Sequence, residues 1–391
     1  MSSDTSKFHE SKKSPAVLKH AILDSYASVF ASKTGSTSIG HRVAFIDGYA
    51  GPGRYTDGTE GSGALLLRKA KDLAAYPRDV ECHFVENDAE TVARLREVAK
   101  TEGAGVTYTI TDAHISAHLP ELLDTVKDIP LFVYLDPCGL PIPLDEVARI
   151  FDRPNGNGAP ATEVLINLTA NLRRFAGHLH SEKAQENSLK RLDLAFGGDW
   201  WRDVWLEHFP TKDGSDDQRT AAELAVVKGY ADKLRERGAG AGIWIIDVRQ
   251  RANLKPVYYL IFATRNIHGM MAFGESTSKG LEHWRKYNAK AAAAGTLFGE
   301  SEWEAGWKAE EAKLSAQWVD TLAARLTAEL EKGREFRIID RTEEILGDDL
   351  VGLVREMHFR AAIKKVFAAG KTTTDPKGSK VRLEALTLKP A

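Results

Sequence analysis

From about residue 43 to 170, short, largely apolar runs alternate with stretches of helical spacing. The runs are "HRVAFIDGY", "VECHFVEND", "VTYTITDAH", "PLFVYLDPCG" and "TEVLINLT". Strands that are apolar throughout, with no in–out alternation, belong in a parallel sheet covered on both faces, so the chain is expected to be α/β. In such sheets ligands bind beyond the carboxyl ends of the strands, where the strand order switches. Those ends carry Asp47, Glu86, Asp112 and Asp136.

Between the strands, "SPAVLKHAILDSYASVFAS" puts Val17, Leu18, Ile22, Tyr26, Val29 and Phe30 on one helical side, with Pro15 in the first turn. "GSGALLLRKAKDLAAY", opening on Ser62 as a cap, "AETVARLREVAKTEG" and "LDEVARIFD" are the next helices. Residues 171–235 are helical, polar and rich in tryptophan (Trp200, Trp201, Trp205), a cluster best read as buried. "AGIWIIDVRQ" and "PVYYLIFATRN" then form an antiparallel pair that completes the sheet. The expected domains are a polar tail (1–14), an α/β domain (15–275) with a helical insert (171–235), a helical segment (276–333) and a C-terminal domain (334–391).

The C-terminal domain reads as two short helices, "RTEEILGDD" and "FRAAIKKVFAAG", and a hairpin in "KTTTDPKGSKVRLEALTLK", an order that describes a winged helix. From Phe359 onward eight Lys/Arg face two Asp/Glu, a basic patch hidden by the whole-chain net charge of -2. Arg360, Lys364, Lys365, Lys377 and Lys380 are its candidate nucleic-acid contacts; a protein-contact role for the same domain stays open.

No run approaches the length of a membrane span, and the polar N-terminus lacks a secretory apolar core. Cys82 and Cys138 lack metal-ligand spacing, so no metal site is expected. Two cysteines in a chain of 391 residues point to a reducing, cytoplasmic setting.

The stretch "AFIDGYAGPGRY" concentrates Gly48, Gly51 and Gly53 after Asp47. It lacks the Lys-Ser/Thr of a P-loop, and Gly51-x-Gly53 lacks the third glycine of a dinucleotide fingerprint. Instead it resembles the first motif of Rossmann-like S-adenosylmethionine (SAM)-dependent methyltransferases. The resemblance implies a Rossmann-like methyltransferase sheet with helices on both faces, and SAM as cofactor. Asp47, Gly48, Ala50, Gly51 and Gly53 would then lie around the cofactor's methionine and ribose. Glu86 and Asn87 would take the ribose diol, and Asp112 and Ala113 the adenine. Asp136-Pro137 stands where amino-methyltransferases carry [D/N]-P-P-[Y/F], and those two residues are the candidate catalytic pair, accepting hydrogen bonds from a substrate amine. Cys138 and Gly139 replace that motif's second proline and stacking aromatic.

Phe45 to Tyr55, "GSGALL", "FVEND", "YLDPCG" and "YYLIFATRNIHGM" together resemble the three-Cys-motif partner proteins (the TcmP family) over about residues 16–275. This resemblance implies a partner that is a three-cysteine-motif, radical-SAM-type protein. A further likeness, through Lys19, His20 and "DGYAGPGRY", is to adenine-N6 methyltransferases of ribosomal RNA, and implies that Lys19 and His20 line the cofactor pocket; a solvated helix face is the other reading of these two. Two functions follow. One is a SAM-dependent methyltransferase acting on a nucleic-acid amine. The other is a non-catalytic nucleic-acid-binding subunit on the same scaffold.

Overall fold

The computed structural model describes residues 13–139, 142–156, 158–169, 171–180, 186–239, 242–294, 300–375 and 381–391. They fold as two compact units that part between Asn266 and Ile267.

The first unit is built on a seven-stranded sheet of order β3-β2-β1-β4-β5-β7-β6. Its strands are β1 (Arg42–Asp47), β2 (Asp79–Glu86), β3 (Thr107–Asp112), β4 (Leu131–Leu135), β5 (Thr162–Thr169), β6 (Gly242–Arg249) and β7 (Pro256–Thr264). Strands β1 to β5 run parallel, and β7 lies antiparallel between β5 and β6. This is the strand order of Rossmann-type methyltransferases; β6 and β7 form the antiparallel pair that the sequence predicts, with β7 inserted next to β5. Every residue of β4 and all of β1 after Arg42 are buried, which is why these runs carry no polar alternation. The order switches between β1 and β4, so a crevice opens beyond Asp47 and Leu135.

Helices α1 (Ser14–Gly35), α2 (Ser62–Leu73), α3 (Ala89–Glu102), α4 (Ile115–Thr125) and α5 (Leu144–Arg149) belong to this unit. Asp88 caps α3 by accepting the Thr91 amide at 2.8 Å. Ser62 does not cap α2: Gly61 holds that position, and Ser62, the first helical residue, bonds to the buried Asp47. The sequence pattern misses α4, because Pro120 sits inside it and removes a helical donor. The insert folds as α6 (Asn171–Ala176), α7 (Glu186–Phe196), α8 (Trp200–His208) and α9 (Asp216–Leu234). Trp201 and Trp205 are fully buried in its core, and Trp200 donates to the Phe196 carbonyl at 2.9 Å. The cluster is packing, as its composition suggests.

At the start of β5, Glu163 is buried and accepts from Tyr26 and from the Thr264 hydroxyl (2.9 Å). Burial, opposed by those two hydrogen bonds, pushes its carboxyl from the ordinary value near 4.5 up to about 7. A carboxyl raised on folding keeps a proton that the unfolded chain releases. Its contribution to stability is therefore complete below about pH 4.5 and is lost as pH rises to about 7. Glu163→Gln is expected to flatten this slope, so thermal melts at pH 5.5 and 8 should differ less in the variant than in the wild type. An unchanged difference would contradict the assignment.

The second unit holds α10 (Ile267–Ala293), α11 (Glu300–Leu330), β8 (Phe336–Arg337), α12 (Thr342–Leu346), α13 (Glu356–Ala368) and β9 (Thr387–Leu388). The expected boundary at 275 thus falls within α10. The C-terminal hairpin differs from expectation. Strand β9 pairs with β8, from before the two helices, and Thr372 contributes one isolated bridge to Pro390. The Pro-Lys-Gly turn lies outside the described residues. Among the described residues no helix is long and apolar enough to cross a membrane.

Candidate functional site

A cavity of about 1010 Å³ opens at the switch point of the first unit. Its walls come from the glycine loop after β1, the carboxyl ends of β2, β4 and β5, the first turns of α1, and β7.

The glycine loop is held by backbone hydrogen bonds: the Gly48 amide donates to the Tyr134 carbonyl (3.0 Å), Ala50 to Val85 (3.1 Å) and Gly61 to Gly53 (2.8 Å). Gly51 (φ 60°) and Gly53 (φ 78°) adopt the left-handed region that favours glycine. The three glycines answer to different neighbours. A Cβ on Gly48 would lie 2.7 Å from the Leu135 side chain, and one on Gly53 would lie 3.1 Å from both Leu95 and Val98. Protein side chains therefore exclude larger residues at those two positions. Gly51 lines the cavity beside Ala50.

Glu86 joins this loop to β2. Its Oε2 accepts the Gly51 amide at 3.0 Å, and its Oε1 accepts those of Asn87 (2.9 Å) and Asp88 (3.1 Å). Each carboxylate oxygen has two lone pairs, so Oε2 keeps one for a ligand in the cavity. Asn87, Asp88, Gly53, Tyr55 and Ser62 share the same wall.

Four residues expected around a cofactor do not line the cavity. Asp47 is fully buried beneath the loop; burial pushes its carboxyl up to about 7, against the opposing hydrogen bonds of Ser62 and the Tyr49 amide. Gly48 packs on Leu135. Asp112 is exposed at the end of β3, in register with Glu86, and the Ala113 amide is committed to the Glu86 carbonyl at 3.1 Å. His114 and Ser116 reach the cavity from this side instead.

Asp136 and Pro137 do line it, directly after β4. The Asp136 carboxylate is ringed by donors. Oδ2 accepts from Lys19 of α1 and from the Tyr134 hydroxyl (3.1 Å), while Oδ1 accepts the Asn167 amide at 2.6 Å. Only 12% of the Lys19 side chain and 16% of that of Asp136 reach solvent. Burial, the largest single effect, lowers the Lys19 pKa, but the charge and hydrogen bond of Asp136 together with Tyr55 and Cys138 outweigh it, and the net shift is upward, so the ammonium is held charged. Lys19 also stands 5.6 Å from the centre of the Tyr258 ring, whose hydroxyl anchors α1 by donating to the Pro15 carbonyl at 2.8 Å. His20 and Tyr55 complete this wall with ring centres 5.9 Å apart. Cys138, at the place of the motif's second proline, is an exposed thiol on the same wall.

Asn167, Tyr134 and Tyr258 go unnoticed in sequence. Asn167 is discoverable: it lies near the carboxyl end of β5, next to β4, by the same rule that singles out Asp136. Among the described residues no cluster of three or more His, Cys, Asp or Glu side chains is placed to hold a metal ion.

In the second unit, two of the three candidate nucleic-acid contacts among the described residues are paired. Arg360 bonds to Glu356 and to the Val381 carbonyl (3.0 Å), and Lys365 to Asp320. Lys364 is exposed on α13, between the exposed Met357 and Phe367. Lys377 and Lys380 lie outside the described residues.

No family model matches the chain, and no curated protein matches it. Among solved structures it is similar to a protein described as an rRNA-methylase from Clostridium thermocellum, at 9% identity and a TM-score of 0.30, over 62% of this chain and 95% of that one. It is also similar to a geranyl diphosphate methyltransferase solved with GPP and sinefungin, at 13% identity and a TM-score of 0.23, over 61% of this chain and 78% of that one. The strand order and the cavity, not these likenesses, carry the assignment of the fold.

Proposed function

We propose that the protein is a SAM-dependent methyltransferase acting on an exocyclic amine of a nucleic acid. The observation that carries this reading is the placement of Glu86 and Asp136 on one cavity at the switch point of a methyltransferase-ordered sheet. The cavity is at the upper end of the usual range for small-molecule sites, so it has room for a nucleoside cofactor and part of an acceptor. The residues present fit SAM. Glu86 Oε2 has an acceptor site for a ribose hydroxyl, and Gly51 leaves the backbone bare beside it. Bound there, SAM would supply an electrophilic methyl group. Asp136 and the Pro137 carbonyl would hold the acceptor N–H and orient its lone pair toward that methyl group.

The winged-helix reading of the second unit draws support from the order α11, β8, α12, α13, β9 and from the Thr372–Pro390 bridge. With Lys364 and Arg360 on the outer face of α13, that unit would deliver a nucleic acid by phosphate contacts. The resemblance to three-Cys-motif partner proteins adds a radical-SAM-type protein as the expected partner. A non-catalytic subunit is favoured by one observation: Asp136 already carries three donors, as a structural carboxylate would.

Incubation with tritiated-methyl SAM and total RNA or denatured DNA separates the two. The enzyme reading predicts label in the nucleic acid, and less of it as salt rises. Retention of oligonucleotide without label would favour the subunit.

A further inference from the structure

The donors around Asp136 can be counted. A carboxylate offers about four lone-pair sites, two on each oxygen. Lys19 and Tyr134 occupy both on Oδ2, and Asn167 occupies one on Oδ1. One site remains for an acceptor. The charges can be counted in the same way. Asp136 and Lys19, both largely removed from water, sum to zero. A buried neutral pair attracts a further cation weakly, and Lys19 repels it at short range. An alkylammonium acceptor would need several acceptor sites and a net negative surrounding; at Asp136 it finds one free carboxylate site and the Asn167 Oδ1 beside it, and the other carboxylates on the cavity, Glu86, Asp88 and Glu146, are matched by Lys13, Arg54 and Arg191. A neutral N–H needs the one site that is left.

We infer that Lys19 is a positioning residue that sets the charge class of the methyl acceptor: by neutralising Asp136 it reserves the site for an uncharged N–H donor, such as a heterocyclic amine, and excludes alkylammonium groups. The inference rests on the methyltransferase reading and deepens it. It also has a consequence for the cofactor. The methyl group to be transferred must reach an acceptor held at Asp136, so the sulfonium charge of SAM must come close to the Lys19–Asp136 pair. S-adenosylhomocysteine, the product, lacks that charge. Without the Lys19 cation, Asp136 is left as an uncompensated carboxylate that favours SAM over its product.

The test is calorimetric titration of wild type, Lys19→Gln and Lys19→Arg with SAM and with S-adenosylhomocysteine. Lys19→Gln removes the charge and keeps a hydrogen-bond donor, on a side chain one atom shorter. Its ratio of SAM to S-adenosylhomocysteine affinity is expected to rise about tenfold over wild type, and Lys19→Arg is expected to restore the wild-type ratio. Butylammonium, added as a probe, should raise the apparent Kd for SAM in Lys19→Gln and leave it unchanged in the wild type. A folded Lys19→Gln protein with the wild-type ratio would overturn the inference, as would butylammonium competition in the wild type. If thermal melts show Lys19→Gln unfolded, Lys19→Met is measured against the same two criteria. Absence of SAM binding to the wild type is a different result, and removes the methyltransferase reading with the inference built on it.

Discussion

Asp136→Asn is expected to lower methyl transfer by about 10²-fold, the cost of losing the group that orients the reacting atom. The substitution keeps the volume and the contact with Asn167 but removes the negative charge that faces both Lys19 and the acceptor. Lys19 is then a buried cation without its counter-ion. Two consequences follow beyond the loss of rate. The protein should melt at a lower temperature, and SAM, which carries a sulfonium charge, should bind more weakly while S-adenosylhomocysteine is little affected. That shift runs opposite to the one expected of Lys19→Gln, and the double variant should return the ratio toward the wild-type value. Single-turnover transfer from labelled SAM, read beside the two affinities, checks all of this. Transfer at the wild-type rate would show that Asp136 is structural.

Glu86→Ala is the second large effect. The carboxylate gathers three backbone amides, from Gly51, Asn87 and Asp88, and holds the glycine loop against the end of β2. It also supplies the acceptor that the proposed function assigns to the ribose. A hydrogen bond to a charged group contributes roughly 1.5–3 kcal/mol, so the affinity for S-adenosylhomocysteine should fall at least tenfold. S-adenosylhomocysteine is the sharper probe because it carries no sulfonium and reports the nucleoside contacts alone. Glu86→Gln should fall between the two, since its amide keeps one acceptor oxygen. Equal affinities in wild type and Glu86→Ala would place the nucleoside elsewhere.

The parts of this fold that are legible in sequence are the ones governed by local rules. Strands β1 and β4 are buried on both faces, so their apolar runs are unbroken and end sharply at Asp47 and at Asp136-Pro137. Helix α4 is obscured by Pro120, because its single internal proline weighs against a helix in any local window. Strand β9 finds its partner in β8, some fifty residues earlier, and nothing between Lys371 and Lys389 announces this. The site follows the same division. The rule that ligands sit at strand ends finds Glu86 and Asp136 on the cavity. Applied to β3 it selects Asp112, which the structure leaves exposed at the edge of the sheet. Glycine spacing marks the loop, yet only the packing of Leu135, Leu95 and Val98 reveals why Gly48 and Gly53 must be small. Lys19 lies more than a hundred residues from Asp136, so its role depends on a tertiary contact that no spacing encodes.

Whether the cavity at the switch between β1 and β4 is a SAM site is decided by calorimetric titration of the wild-type protein. SAM, S-adenosylhomocysteine, NAD and ATP would each be titrated under the same conditions. One saturable site is expected for SAM and for S-adenosylhomocysteine, and none for NAD or ATP, whose phosphate-binding glycine patterns the loop lacks. A folded protein that gives no heat with SAM, or that binds NAD or ATP as tightly, would contradict the SAM assignment.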